Sequence, residues 1–257
     1  MTLPFSKYQG TGNDFVIIDN RENIFSKNDT KLVAQLCDRR FGIGADGLML
    51  LENHPSADFR MVYYNADGNE SSMCGNGGRC LVAFAKALSI IDTHCTFEAI
   101  DGLHEAIIEN DIVHLKMQDV IDIKVTPEYT FLDTGSPHHV QNVASVRELD
   151  VKKVGAAIRY SDLYGKAGSN INFVEQKNDH HFAVRTYERG VEDETLSCGT
   201  GVTAVAIAAH YNNVTVSNKI DLDVEGGKLA VTFEKTAAGY ENIFLIGPAT
   251  FVFKGTW

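Results

Sequence analysis

Two cysteines in this chain carry the same neighbourhood. Cys74 lies in Met73-Cys74-Gly75-Asn76-Gly77-Gly78-Arg79, and Cys198 lies in Ser197-Cys198-Gly199-Thr200-Gly201-Val202. Each is followed by a glycine, a polar residue and a second glycine. An apolar run of helical character comes next, Cys80 to Leu88 in the first case and Thr203 to Ala209 in the second. This order predicts a thiol at the N-terminus of a buried helix, where unsatisfied backbone N–H groups and the helix dipole lower a thiol pKa. One thiolate and one thiol on opposite sides of a carbon can take a proton from one face and return one to the other. That is stereo-inversion by general base and general acid. The same N–H groups can bind a carboxylate. The α-proton of an amino acid is a weak acid, so its removal requires carboxylate and ammonium groups held in a water-poor site.

Other readings of these cysteines compete. A buried cysteine is commonly a small hydrophobe. That suits Cys37, Cys80 and Cys95, but not two cysteines that each open a helix behind Gly-polar-Gly. A zinc site would need ligand spacings that Cys74 and Cys80 lack. A cysteine nucleophile with His138 or His139 as its base remains open, although it gives no reason for the duplication. Among the glycine loops there is no G-x-x-x-x-G-K-[ST] and no strand-linked G-x-G-x-x-G with its acidic partner.

The elements that must position the cysteines follow from pattern. Phe15 to Asp19 reads as a buried strand after the turn Gly10-Thr11-Gly12-Asn13. Asn28-Asp29 caps a helix through Leu32, Val33, Leu36 and Cys37. The glycine loop 41–47 leads into the strand Leu48 to Leu51, and Phe59 to Tyr64 is another strand, ending in the turn Asn65-Ala66-Asp67-Gly68. Strand-like segments lie near 95–100, 104–109 and 112–117. The order then restarts. Gly135 stands 123 residues after Gly12, Phe182 stands 123 after Phe59, and Cys198 stands 124 after Cys74. A helix pattern from Asp150 to Ile158 and a strand from Ile171 to Val174 fall in the corresponding places. An offset this constant predicts a duplicated domain. The halves are expected at 1–120 and 121–247, with a late strand in 248–257 completing the first.

The chain has 257 residues, 44% hydrophobic and 22% charged, with a formal net charge of −11 and a pI of about 5.2. These values suit a globular protein and argue against a nucleic-acid partner, which would call for a basic surface. No apolar run reaches the roughly 18 residues of a membrane span, and the N-terminus lacks a signal-peptide core. Five cysteines, an odd number in a long chain, suit reduced thiols in a cytoplasmic protein.

At these residues the sequence resembles the diaminopimelate epimerases. The matching stretches are Lys7 to Phe15, Gly42-Ile43-Gly44-Ala45-Asp46, Tyr64 to Gly68, Cys74 to Cys80, Tyr187-Glu188-Arg189-Gly190, Glu194-Thr195, Cys198 to Gly201 and Gly247-Pro248-Ala249. They run through the whole chain in the family's order. The resemblance implies an α/β (α+β) fold of two pseudo-repeated halves, each a curled mixed sheet or barrel around a central apolar helix. It implies an active site in the cleft between them and interconversion of LL- and meso-diaminopimelate, with no cofactor and no metal. Cys74 and Cys198 become the acid/base thiols, tuned by His138 and Glu188. The reacting end of the substrate falls to Asn13, Gly75, Asn76, Gly199 and Thr200, and the distal end to Asn65, Asn170, Glu188 and Arg189. The expected partner is a small amino acid, with no membrane, and the expected assembly is a homodimer. A related two-thiol racemase of proline or hydroxyproline would have no second amino-acid end for Glu188 and Arg189 to hold. A binding module on the same scaffold would need the cysteines only for folding. The chain departs from the family pattern at Ser136, where Asn is usual, and at Gly47, where Gln is usual. The acidic run Glu192-Asp193-Glu194 has no explanation in the sequence.

Overall fold

The computed structural model describes residues 2–257. The chain divides into two compact units. One takes the chain through Leu115 together with Gly247–Trp257, and the other is Lys116–Ile246.

The first unit contains β1 (Pro4–Gly10), β2 (Asn13–Asp19), α1 (Thr30–Cys37), β3 (Gly47–Glu52), β4 (Phe59–Asn65), α2 (Gly75–Ala87), β5 (His94–Ala99), β6 (Gly102–Glu109) and β7 (Ile112–Lys116), whose last residue opens the second unit. The second holds β8 (Ile123–Val125), β9 (Thr130–Asp133), β10 (Pro137–Asn142), α3 (Val151–Arg159), β11 (Asn170–Asn178), β12 (His181–Glu188), β13 (Asp193–Thr195), α4 (Gly199–Tyr211), β14 (Lys219–Val224), β15 (Gly227–Lys235) and β16 (Tyr240–Pro248), whose last two residues belong to the first unit. The last strand, β17 (Thr250–Thr256), returns to the first unit and pairs antiparallel with β1.

The two units repeat one pairing scheme. In the first, β1/β2 is antiparallel, β2/β3 parallel, β3/β4 antiparallel, β4/β5 parallel, and β5/β6 and β6/β7 antiparallel. In the second, β9/β10, β10/β11, β11/β12, β12/β14, β14/β15 and β15/β16 follow the same sequence of directions. The parallel steps are crossovers through α1 and α2 in one unit and through α3 and α4 in the other. The fold is mixed α/β.

Period-two alternation explains the layers. Every residue of β3 is buried. Leu48 and Leu50 join Val33, Leu36 and Cys37 of α1 in one cluster, whereas Met49 and Phe15 lie against Gly77 of α2 on the other face. In the second unit, Ile171 and Phe173 of β11 cluster with Val151 of α3, and Asn172 between them reaches Gly201 of α4. Helices α2 and α4 are therefore the buried ones, and α1 and α3 cover the opposite faces. Each covering helix starts on an aspartate. Asp29 accepts from Leu32 N, and Asp150 accepts from Lys153 N. No helix among the described residues is long and apolar enough to cross a membrane.

Candidate active site

The two cysteines occupy the same place in each unit. Cys74 is the N-cap of α2 and Cys198 the N-cap of α4, both in extended backbone (φ −101° and −120°). Each cysteine thus stands at the helix end where the first turn's N–H groups lack intrahelical partners, and neither side chain makes a capping hydrogen bond. Cys198 is 7% exposed, and Cys74 is half-buried.

In the first unit, Cys74 Sγ contacts Asn13 Oδ1 at 3.5 Å, and Asn76 Nδ2 donates to the same oxygen at 3.3 Å. The orientation of the Asn13 amide is fixed from behind. Its Nδ2 donates to Asp46 Oδ2 at 2.6 Å, and a carboxylate can only accept. Asp46 is held in turn by Arg39 Nη2 at 2.7 Å and by the main-chain N–H of Asp14 at 3.2 Å. Arg39 and Lys7 both pair with Asp14, at 2.6 and 2.8 Å. Hydrogen bonds and charge from this pair hold the Asp14 carboxyl down at about 2, although burial alone would raise it. Buried Lys7 also donates to the Gly44 carbonyl. Asp46, Asp14, Arg39 and Lys7 thus form a support that sequence pattern did not assign. The signal was there as acidic and basic residues inside the matched motifs at Lys7, Asp14 and Asp46. Asn65 is exposed at the end of β4, where its backbone closes the turn through Gly68 and Asn69.

In the second unit, Cys198 Sγ lies 3.5 Å from Thr200 Oγ1. The Thr200 carbonyl accepts from buried Thr134 Oγ1 at 2.8 Å, which ties the first turn of α4 to the segment before β10. His138 is fully buried, and its Nδ1 lies 3.1 Å from Asn172 Nδ2. Asn172 Nδ2 also donates to His139 O at 3.0 Å, and Thr186 Oγ1 donates to Asn172 Oδ1 at 3.0 Å, so the amide orientation is determined. His138 Nδ1 is therefore an acceptor and its proton resides on Nε2. Burial, with Arg189 adding to it, pushes His138 down to about 3, which leaves it neutral near pH 7. A histidine so weakly basic is a poor base for a nucleophilic cysteine.

Three of the four residues expected at the distal end, Asn170, Glu188 and Arg189, come together at the end of β12. Asn170 Nδ2 donates to the Pro137 carbonyl at 3.3 Å, and its Oδ1 accepts from Arg189 N at 2.8 Å, so its amide fixes the main chain of Arg189. Arg189 Nη1 donates to Ala167 O at 3.2 Å, and Glu188 Oε2 accepts from Thr195 Oγ1 at 3.0 Å. The acidic run after Arg189 now has an account. Glu192 pairs with Arg159, Asp193 with Lys152, and Glu194 with Arg185, so three acids pin this turn to α3 and β12.

Gly47 has a local reason. A Cβ there would come within 2.5 Å of both the Tyr63 ring and the Tyr64 carbonyl, so this backbone leaves no room for the family's usual side chain. Among the described residues, no group of three His, Cys, Asp or Glu side chains is arranged to hold a metal ion.

Comparison with known proteins adds to this geometry. The family model for diaminopimelate epimerase matches residues 5–120 and 130–252. A diaminopimelate epimerase from Flavobacterium psychrophilum is 63% identical over 251 residues, covering 97% of this chain and 98% of that one. One from Chlorobaculum tepidum is 42% identical over 256 residues, covering 96% and 98%. Among solved structures, a phenazine biosynthesis protein of the PhzF family from Bacillus anthracis aligns with a TM-score of 0.80. It covers 100% of this chain and 99% of that one at 12% identity, which shows a shared fold.

Proposed function

The chain belongs to the diaminopimelate epimerase family, and from that premise we propose that it interconverts LL- and meso-2,6-diaminopimelate for lysine biosynthesis, with Cys74 and Cys198 as its two acid/base thiols and no cofactor. The observation that carries the reading is the repeated device: a cysteine N-cap on the buried helix of each unit, at an equivalent place in the same strand order. In this scheme one thiolate takes the α-proton and the other thiol delivers a proton to the opposite face. Backbone N–H groups of Gly75-Asn76 and Gly199-Thr200 receive the substrate carboxylate and the charge that develops as the proton leaves. Asn13, held rigid by Asp46, offers its Oδ1 toward the reacting end.

For the distal amino-acid end, Arg189 provides a fork for carboxylate and Glu188 an acceptor for ammonium, and Asn65 is assigned to the same end by the family resemblance. Asn170 supports this assignment through its bond to the Arg189 main chain. Neutral His138 tunes Cys198 through Asn172, which lies against the first turn of α4 at Gly201. We further propose a cytoplasmic enzyme. The five cysteines, with no disulfide among them, suit a reducing compartment. A homodimer is proposed as well. Phe251, Val252 and Phe253 on β17 are all exposed, and this apolar surface suits a second copy.

The test is incubation of purified protein with LL-diaminopimelate, followed by chiral analysis of the product. The reading requires approach to an LL/meso mixture without added cofactor. Unchanged LL substrate overturns it.

A further inference from the structure

Arg79 is 0% exposed, on the second turn of α2. Its Nη1 donates to Gly75 O at 3.3 Å, its Nη2 to Thr11 Oγ1 at 3.2 Å and its Nε to Pro248 O at 3.4 Å. All three acceptors are neutral, and among the described residues no carboxylate forms an ion pair with it. Room for the group is built in. A Cβ on Gly10 would meet Arg79 Nη2 at 3.2 Å and Asn76 O at 3.1 Å. A buried cation without a counter-charge is costly. Arginine is the one cation that cannot escape by losing its proton. Burial lowers its pKa, but from so high a starting value that it stays charged.

The acidic groups acting on Arg79 are the thiols of Cys80 and Cys74. Cys80 is not the partner. Burial pushes it up to about 12, Cys74 and Asp14 add to the rise, and only Arg79 opposes it. Tyr8, on β1 against α2, is likewise raised by burial and by Cys80. Asp14 is committed to Lys7 and Arg39. Cys74 is left as the group able to supply the missing negative charge.

The repeat sharpens this point. The residue equivalent to Arg79 in α4 is Thr203, at the same 124-residue offset as the two cysteines. Thr203 is also fully buried, and its Oγ1 donates to Gly199 O at 2.9 Å just as Arg79 Nη1 donates to Gly75 O. The two helices thus satisfy the same carbonyl with side chains of different charge. Building on the two-thiol reading above, we propose that Arg79 is the fixed counter-charge of a Cys74 thiolate, so that in the substrate-free enzyme Cys74 is the thiolate and Cys198 the thiol. One contact opposes this. Asn13 Oδ1 accepts from the Cys74 thiol and so favours its protonated form. A thiol is a weak donor, however, and Asn76 already donates to that oxygen, so a full charge behind the cap outweighs it. Arg79 acts through Cys74 and is a positioning residue. It makes the duplicated site electrostatically unequal.

The test is alkylation of the substrate-free protein by iodoacetamide over a pH series, with the rates at Cys74 and Cys198 read separately by peptide mass spectrometry. The pH at which each rate inflects reports thiolate formation independently of how fast the reagent enters. In the unmodified sequence Cys74 should inflect at least about one pH unit below Cys198, a tenfold difference in thiolate at intermediate pH. Arg79→Met should move the Cys74 inflection up by about the same amount and leave Cys198 in place, and Arg79→Lys should restore most of the difference. A merely structural role would move neither inflection selectively. If Cys198 inflects at or below Cys74 in the unmodified protein, the assignment fails without any variant having to fold. An unchanged Cys74 inflection in Arg79→Met removes Arg79 from the account. Neither result depends on turnover. Failure of the two-thiol reading would show instead as inversion surviving the loss of a cysteine.

Discussion

Replacing Asp46 with alanine removes the carboxylate that orients Asn13. Asp46 Oδ2 accepts from Asn13 Nδ2 at 2.6 Å and from Asp14 N at 3.2 Å, and Oδ1 accepts from Arg39 at 2.7 Å. Without it, only the weaker contacts from Asn76 Nδ2 at 3.3 Å and from Cys74 Sγ at 3.5 Å keep the Asn13 oxygen toward Cys74. The amide can then turn and present a donor where it now presents an acceptor. A hydrogen bond to a charged group contributes about 1.5–3 kcal/mol. The Asp46 side chain is 42% exposed, so water competes, and the lower end, about 1.5 kcal/mol, is the appropriate figure. That corresponds to roughly a tenfold fall in kcat/KM for LL-diaminopimelate. The fold should survive, because Arg39 and Lys7 still hold Asp14. Steady-state kinetics alongside thermal melting separate the two effects, with a Tm loss of no more than about 4 °C expected. A variant with kcat/KM within about twofold of the parent would refute the orienting role of Asp46.

Acid sensitivity follows from His138. Its folded pKa of about 3 lies below its unfolded value, so between the two the unfolded chain binds a proton that the native one does not, and stability falls as pH falls. His139 and His210, also lowered by burial, act in the same direction. Urea unfolding should weaken from about pH 6.5 to about 4.5 by up to roughly 1.4 kcal/mol per pH unit for His138, and His138→Gln should flatten that slope. An unaltered slope would contradict it. The Asp14 contribution is lost only at lower pH, as its carboxylate protonates on the way down to about 2. Gly155→Ala places a Cβ within 2.4 Å of Tyr187 Cβ between α3 and β12. Overpacking of this kind costs about 1–3 kcal/mol and should lower Tm by several degrees, whereas an unchanged Tm would mean that α3 moves aside cheaply. Phe253→Asp should convert a dimer into monomers in sedimentation velocity, and a variant that remains dimeric would move the interface away from β17.

The sequence made the local devices legible. Asp29 and Asp150 announce their helices because a side-chain cap is read within three residues. The cysteine-opened helices are equally local, being glycine pairs followed by an apolar run. The pairing scheme is what the constant offset between the halves implied. Strands lacking an alternating pattern were not legible. Pro4–Gly10 carries Lys7 at a buried position, which makes sense only once Asp14 and the Gly44 carbonyl surround its ammonium. The segment at Gly135–Val140, read as the counterpart of a glycine turn, enters β10 at Pro137. Support across long separations was also hidden. Asp46 holds Asn13 from 33 residues away, and each acid of Glu192-Asp193-Glu194 finds its base on α3 or β12. Arg79 received no role from the sequence and is fully buried in the fold.

If two thiols act on one carbon, the hydrogen at that carbon records it. Epimerisation in D2O, stopped at low conversion, should give product labelled at the inverted centre while the remaining substrate is still unlabelled, because the proton returned comes from a different sulfur than the one that took it. Cys74→Ala and Cys198→Ala should each abolish inversion while retaining the fold. Unlabelled product, or near-normal inversion by either alanine variant, would contradict the account.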